Sequence, residues 1–198
     1  MSDQVDQSRR NMLFIAAGGL GAVAVAATAI PFVGSMFPAA DTLAASKTEF
    51  DVATVEEGQV VVIQWQGKPV FITHRNQALL AQLDGHDDLL KDPESKAIEE
   101  VSATWLNDKN RKYRSIKPEY LIVVASCTHL GCIPLYKPSK GREEWGNSVP
   151  EDWVGGWHCP CHGSLYDLSA RVIKGSPAPH NLHLMPYKYK TDTTVVIG

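Results

Sequence analysis

Between Asn11 and Ala40 the chain runs for 30 residues without one charged side chain. Its apolar heart, Met12 to Phe37, covers 26 residues, which as a helix reach about 39 Å at roughly 1.5 Å per residue. A bilayer core is crossed by about 20 such residues. The run therefore predicts a single transmembrane anchor and leaves 158 residues after Ala40, enough for one domain with its own core. Pro31 is expected to bend or end the regular part, which leaves Met12 to Ile30 as the span. Gly18, Gly19, Gly21 and many alanines make the helix surface small, and Ala17 with Gly21 forms a small-xxx-small pair that predicts close packing within a complex.

Arg9 and Arg10 precede the span. By the positive-inside rule that end stays cytoplasmic, and the remainder lies across the membrane. The segment Ser8-Arg9-Arg10-Asn11-Met12-Leu13 resembles a twin-arginine export signal, with Met12 and Phe14 in place of its usual Phe and Lys. Strict Ala-x-Ala triplets such as Ala27-Thr28-Ala29 lie inside the apolar run, and its exit offers only Leu43-Ala44-Ala45. Retention, not cleavage, is the expectation. The organisation read from this is a cytoplasmic N-terminus 1–11, an anchor 12–37, a flexible hinge 38–48 of small and polar residues, and a domain 49–198.

Within that domain, Val60–Trp65 and Lys68–Thr73 flank Gln66-Gly67 and predict a β-hairpin. Arg75–Leu83 reads as a short helix, Tyr120–Ser126 as a buried strand entering Cys127, and Thr193–Ile197 as a closing strand. Residues 84–100 carry seven acids and two lysines, and 108–117 one acid and five bases. Both are read as solvated faces, with a candidate helix near Pro93–Leu106. The net charge of −3, from 19 Lys and Arg against 22 Asp and Glu, gives nucleic-acid binding no electrostatic support, so no such partner is expected.

All four cysteines fall between Cys127 and Cys161, in the boxes Cys127-Thr-His129-Leu-Gly-Cys132 and Cys159-Pro-Cys161-His162-Gly-Ser164. Each box combines histidine, cysteine and a glycine that lets the backbone turn tightly. Three chemistries fit these residues. A structural zinc site could take two Cys and two His, but it leaves the other cysteine pair and the likeness of the two loops without a purpose. Two disulfides without metal leave His129 and His162 unexplained. A [2Fe–2S] centre with two thiolates on one iron and two imidazoles on the other uses the whole pattern.

The two boxes resemble those of the Rieske iron–sulfur family. The whole chain, anchor included, resembles that family's subunit in bacterial ubiquinol–cytochrome c reductase. The resemblance implies a mainly β fold: a small antiparallel domain carrying one [2Fe–2S] cluster at its tip, with the cluster-binding part near 124–182. It implies that Cys127, His129, Cys159 and His162 bind iron and that Cys132 pairs with Cys161. It further implies that Ser164 and Tyr166 donate to a bridging sulfide and a cysteine sulfur, that Leu130 shields the cluster, and that Gly175-Ser-Pro-Ala-Pro179, with Pro177, covers its other side. His162, with His129 also exposed, would meet ubiquinol and accept its proton. The partners implied are a cytochrome b subunit and a c-type cytochrome in a dimeric complex. The implied location is the cell inner membrane, single-pass, with the cluster on the periplasmic side. Two departures stand out: Ser176 interrupts the commoner Gly-Pro-Ala-Pro, and Leu165 stands where many relatives have His. Residues 137–152 read as an inserted surface loop. His158, His74, His86, His180 and His183, and Trp145, Trp153 and Trp157, read as packing or surface residues. Other functions compatible with the pattern are the Rieske small subunit of an exported oxidoreductase such as arsenite oxidase, a ferredoxin-type donor to a ring-hydroxylating dioxygenase, and a zinc-binding interaction module.

Overall fold

The computed structural model describes residues 7–39, 42, 46–97 and 103–198, in two compact units divided after residue 45. The first unit is one helix, α1 (Gln7–Ser35), 29 residues long and so about 44 Å. It is long and apolar enough to cross a membrane, and none of it is buried among the described residues. The helix begins at Gln7 and therefore contains Arg9 and Arg10. Pro31 does not end it. A proline removes one N–H bond, here toward residue 27, and crowds that carbonyl, yet the helix continues one more turn to Ser35 before Met36 and Phe37 close it with N–H donation to Val33 and Gly34. Much of the expected hinge, at 40–41 and 43–45, lies outside the described residues, as do residues 98–102 of the candidate helix near Pro93–Leu106. The described parts of that candidate, 93–97 and 103–106, are turns and irregular backbone.

The second unit is built from nine strands in three antiparallel three-stranded sheets among the described residues. One sheet joins β1 (Thr48–Asp51), β9 (Thr194–Ile197) and β8 (Tyr187–Tyr189). The central sheet joins β2 (Val60–Trp65), β3 (Lys68–His74) and β4 (Tyr120–Val124). The third joins β5 (Leu135–Lys137), β6 (Gly156–His158) and β7 (Leu165–Asp167). Helix α2 (Gln77–Ala81) is capped by Asn76, whose side chain accepts the Leu79 N–H at 2.9 Å. Strand period explains the layering. On β3 and β4, Val70, Ile72, Ile122 and Val124 face a core shared with Val195, Ile197 and Tyr187. Phe71, Leu121 and Val123 face the opposite core with Trp157, Tyr166 and Leu182. The central sheet is buried on both faces, which is why Tyr120–Val124 reads as an unbroken apolar run rather than an alternating one.

The charged stretches are not wholly solvated. Lys112 pairs with Asp84, and Lys96 with Glu94, at the surface. Arg114, however, is fully buried and donates to the carbonyls of Ser169, Ala170 and Leu182. Arg75 is buried as well, donates to the carbonyls of Tyr113, Pro118 and Leu168, and is pushed down to about 10 by burial. His86 is buried against Asp167 at 3.3 Å. These side chains stand in for backbone ladders: where the chain lacks strands, long donors satisfy loop carbonyls that burial would otherwise leave unpaired.

Candidate metal centre

Strand β4 delivers Cys127, and β6 delivers Cys159, at one end of the domain. The two loops that follow close with the same pair of hydrogen bonds. In the first, Cys127 N–H donates to Cys132 O and Gly131 N–H to Cys127 O, each at 2.8 Å. In the second, Cys159 N–H donates to Ser164 O at 2.8 Å and Gly163 N–H to Cys159 O at 2.9 Å. Gly131 and Gly163 take φ of 85° and 74°, a region that suits glycine at no steric cost. The likeness of the two boxes in sequence is thus a likeness of turn geometry. Cys132 and Cys161 form a disulfide that joins the loops.

Cys127 and Cys159 remain free and buried. The His129 and His162 rings face each other edge to plane, with centroids 4.8 Å apart. His129 Nδ1 is buried with no hydrogen-bond partner among the described residues, and His162 is exposed. A buried ring nitrogen without a partner costs free energy unless a metal or a donor meets it. Two free thiols, two imidazoles and that unsatisfied nitrogen fit the donor set of a centre with two sulfur and two nitrogen ligands. The sulfur atoms of Cys132, Cys159 and Cys161 also lie within 4.8 Å of one another, but the disulfide leaves two of those three with no thiolate to give, so that trio is not a metal site.

Burial pushes the Cys127 thiol up, yet hydrogen bonds from the Tyr166 hydroxyl, the His129 amide and the Ser164 hydroxyl outweigh it and hold the thiol below its usual range. Cys159 stays above that range, chiefly because of burial and with a further push from the neighbouring Cys127 sulfur. Tyr166 is buried, with Oη 3.2 Å from Cys127 Sγ. Its oxygen accepts the Thr128 N–H at 3.2 Å. Thr128 Oγ1, 3.3 Å from Tyr166 Oη, donates its own proton to His180 O at 2.6 Å, so it and Cys127 Sγ are both acceptors for the single Tyr166 proton. Ser164 is likewise buried, and its Oγ accepts the Ala178 N–H at 3.0 Å.

Leu130 is 69% exposed and Pro177 is exposed, both at the surface of this end rather than within it. His158 points Nδ1 into a buried position without a partner among the described residues and is pushed down by burial and by Lys137. Trp157 packs in the core against Phe71 and Tyr136. Sequence reasoning passed over Thr128, although its position between Cys127 and His129 was the available signal. It also passed over the mutual bonding of the two departures: Ser176 Oγ accepts the Leu165 N–H at 3.0 Å and donates to Leu165 O at 3.3 Å.

Comparison with known proteins shows the family to which the chain belongs. Residues 1–39 match the family described as Ubiquitinol-cytochrome C reductase Fe-S subunit TAT signal, and residues 84–187 match the Rieske [2Fe-2S] domain. The chain is 44% identical over 195 residues to the ubiquinol-cytochrome c reductase iron-sulfur subunit of Allochromatium vinosum, covering 98% of this chain and 90% of that one. It is 41% identical over 194 residues to the subunit of the same name from Rhodospirillum rubrum, covering 98% and 93%. A solved chain of a hyperthermophilic respiratory Complex III is 28% identical, with 91% of this chain and 97% of that one covered and a TM-score of 0.46. A Rieske domain over more than half of the chain, and relatives above 40% identity along nearly all of it, mean that it belongs to the family of iron–sulfur subunits of ubiquinol–cytochrome c reductase.

Proposed function

We propose that this chain is the electron-transfer subunit of a membrane ubiquinol–cytochrome c oxidoreductase, with Cys127, His129, Cys159 and His162 as the ligands of its Rieske [2Fe–2S] cluster. The observation that carries the assignment is the buried, unpartnered Nδ1 of His129 beside two free buried thiols. When bound, the cluster supplies one-electron chemistry at a potential well above that of four-thiolate ferredoxins, because neutral imidazoles replace two thiolates. The protein's own part is fourfold. Cys127 and Cys159 give up their protons to bind. The disulfide clamps the two loops. Tyr166 and Ser164 donate toward sulfur and favour the form with one more electron. His162, exposed at the tip, takes the quinol's proton on the ring nitrogen that does not face the centre, with His129 beside it.

The same reading makes the chain one subunit of a complex, beside a cytochrome b subunit and a c-type cytochrome, within a dimer. Arg9 and Arg10 at the start of α1 favour a cytoplasmic N-terminus, hence a single pass through the inner membrane with the cluster on the periplasmic side. The test is purification of the tagged full chain from membranes, with turnover measured in a strain deleted for it. Haems of b and c type are expected to co-purify, and ubiquinol-dependent cytochrome c reduction to vanish on deletion and return on complementation. Native turnover in the deletion strain would refute the assignment.

The hydroxyl donors carry their own expectation. Tyr166→Phe and Ser164→Ala should each keep the cluster and lower its midpoint potential. A hydrogen bond to a charged group contributes roughly 1.5–3 kcal/mol, of which only the difference between redox states is felt. With about 59 mV per tenfold for one electron, shifts on the order of tens of millivolts follow. Redox titration of the purified complex reads them, and unchanged potentials in both variants would remove the proposed sulfur bonding.

A further inference from the structure

The loop 175–179 meets the ligand loops through one buried contact, the Ala178 N–H on Ser164 Oγ at 3.0 Å. That contact decides what the hydroxyl can do. Ser164 has one proton, and an amide occupying its oxygen leaves that proton to donate toward the sulfur of the site. The loop is held in turn by Lys91, whose Nζ donates to Ser176 O at 2.7 Å and to Ala178 O at 2.8 Å, on either side of Pro177. The backbone accounts for its reach. Residues 89–91 run antiparallel to 172–174: Leu90 bridges Ile173, Lys91 N–H donates to Val172 O at 3.0 Å, and Lys174 N–H to Leu89 O at 2.8 Å. Lys91 therefore starts level with the strand that feeds the loop, and its side chain lies along it. In sequence it is one of two lysines within an acid-rich stretch, where a solvated cation is the ordinary reading.

We propose that Lys91 is a positioning residue that raises the electron affinity of the centre. By holding the two carbonyls that flank Pro177, it fixes the Ala178 amide on Ser164 and so keeps the Ser164 hydroxyl in its donating orientation. Its ammonium also adds a positive charge beside the loop, which favours the state with one more electron. The inference rests on the ligand assignment above. The step concerned is the one-electron reduction of that assignment, and Lys91 neither forms nor breaks a covalent bond in it.

The test is redox titration of the purified full chain with its cluster, comparing native protein with Lys91→Met, Lys91→Gln and Lys91→Arg. Methionine keeps most of the aliphatic stem, glutamine keeps a donor without charge, and arginine keeps both charge and donors. Lys91→Met and Lys91→Gln are expected to retain the cluster spectrum and to bind the electron about threefold less favourably, a fall of about 28 mV at 59 mV per tenfold. Lys91→Arg is expected to stay at the native potential. A native potential in both neutral variants overturns the proposal, and so does an arginine variant that falls as far as methionine. Loss of the cluster in both neutral variants assigns Lys91 to folding alone and likewise overturns it. In each of these cases the ligand assignment stands. A native chain that shows no Rieske-type spectrum after loading with iron and sulfide instead defeats the assignment, and this proposal with it.

Discussion

Alanine at any one of Cys127, His129, Cys159 or His162 is expected to abolish the [2Fe–2S] spectrum of the purified chain, whereas His158→Ala should leave it intact. The contrast is a test of geometry rather than of residue type. His158 adjoins Cys159, but it sits on β6 paired with Leu135 and Leu165, one residue before the turn that brings the second loop round. His129 and His162 lie within the turns, beyond the ends of β4 at Val124 and β6 at His158, with their ring centroids 4.8 Å apart. On the proposed ligand set, the loss of one member is not repaired from nearby, because Cys132 and Cys161 are committed to their disulfide. Absorption, circular dichroism and iron content of each variant, read beside the native protein, decide the matter. A normal spectrum in His162→Ala would defeat the ligand set, and a lost one in His158→Ala would widen it.

The largest effect on stability is expected at Asp167, which no chemistry uses directly. Asp167 is fully buried. Its carboxylate accepts the N–H groups of Ser169 and Arg171 at 2.9 and 2.8 Å and the Arg171 Nε–H at 2.8 Å, with His86 Nε2 at 3.3 Å. Arg171 is itself 1% exposed and reaches on to Asp87 at 2.9 Å. The cluster closes the turn after β7, in which Ala170 is held at φ 59°, a conformation that persists in a non-glycine residue only where its surroundings impose it. Asp167→Asn keeps the shape but removes the buried countercharge of the Arg171 guanidinium and leaves it only the exposed Asp87, a loss of up to about 3–5 kcal/mol. The pH dependence has a definite sign. Burial pushes the Asp167 carboxyl up, but Arg171, His86 and the backbone amide hold it below its ordinary value. Its contribution is therefore complete above the unfolded-state value near 3.9 and fades as pH falls through the lower folded value. Urea unfolding of the detergent-solubilised chain should show a difference between native and Asp167→Asn that is constant from about pH 7 to 5 and shrinks below about pH 4. A difference below about 1 kcal/mol at pH 7 would mean that Arg171 finds other partners.

The two boxes were legible in the sequence as a candidate ligand set because a centre of this kind demands fixed residue types at fixed spacing, and the structure brings the two loops together through the Cys132–Cys161 disulfide. The hairpin β2–β3 and strand β4 were legible for a different reason: they are long enough for β-branched runs and a two-residue turn to register. Strands β5 to β8 have three residues each, too few for a period of two to stand out from loop. The burial of Arg75, Arg114, Asp167 and Arg171 was hidden as well. Local composition reads charge as solvent-facing, whereas Arg75 and Arg114 are buried on backbone carbonyls distant in sequence and Asp167 and Arg171 are buried on each other. Lys91 is illegible for the same reason, since its two acceptors lie more than 80 residues on.

One element remains whose freedom is as informative as the constraint elsewhere. The excursion that follows β5 leaves at Lys137 and returns at Gly156, and those two residues are paired across the sheet. Gly156 has no room for a side chain, since a Cβ there would come within 2.0 Å of Tyr166 O, so the foot of the excursion is sealed against the strand that bears Tyr166. Above the seal, residues 138–155 brace themselves: Trp153 Nε1 donates to Lys137 O at 3.0 Å, Gly141 N–H to Trp153 O at 2.9 Å, and Trp145 Nε1 to Ser139 O at 3.0 Å. A change in the length or composition of this excursion is therefore expected to be absorbed above the Lys137–Gly156 pair, leaving the loop of Cys159 in place. It is the natural graft point of the domain, a place where descent can lengthen the chain, or an experimenter can install a reporter, while the redox end keeps its geometry.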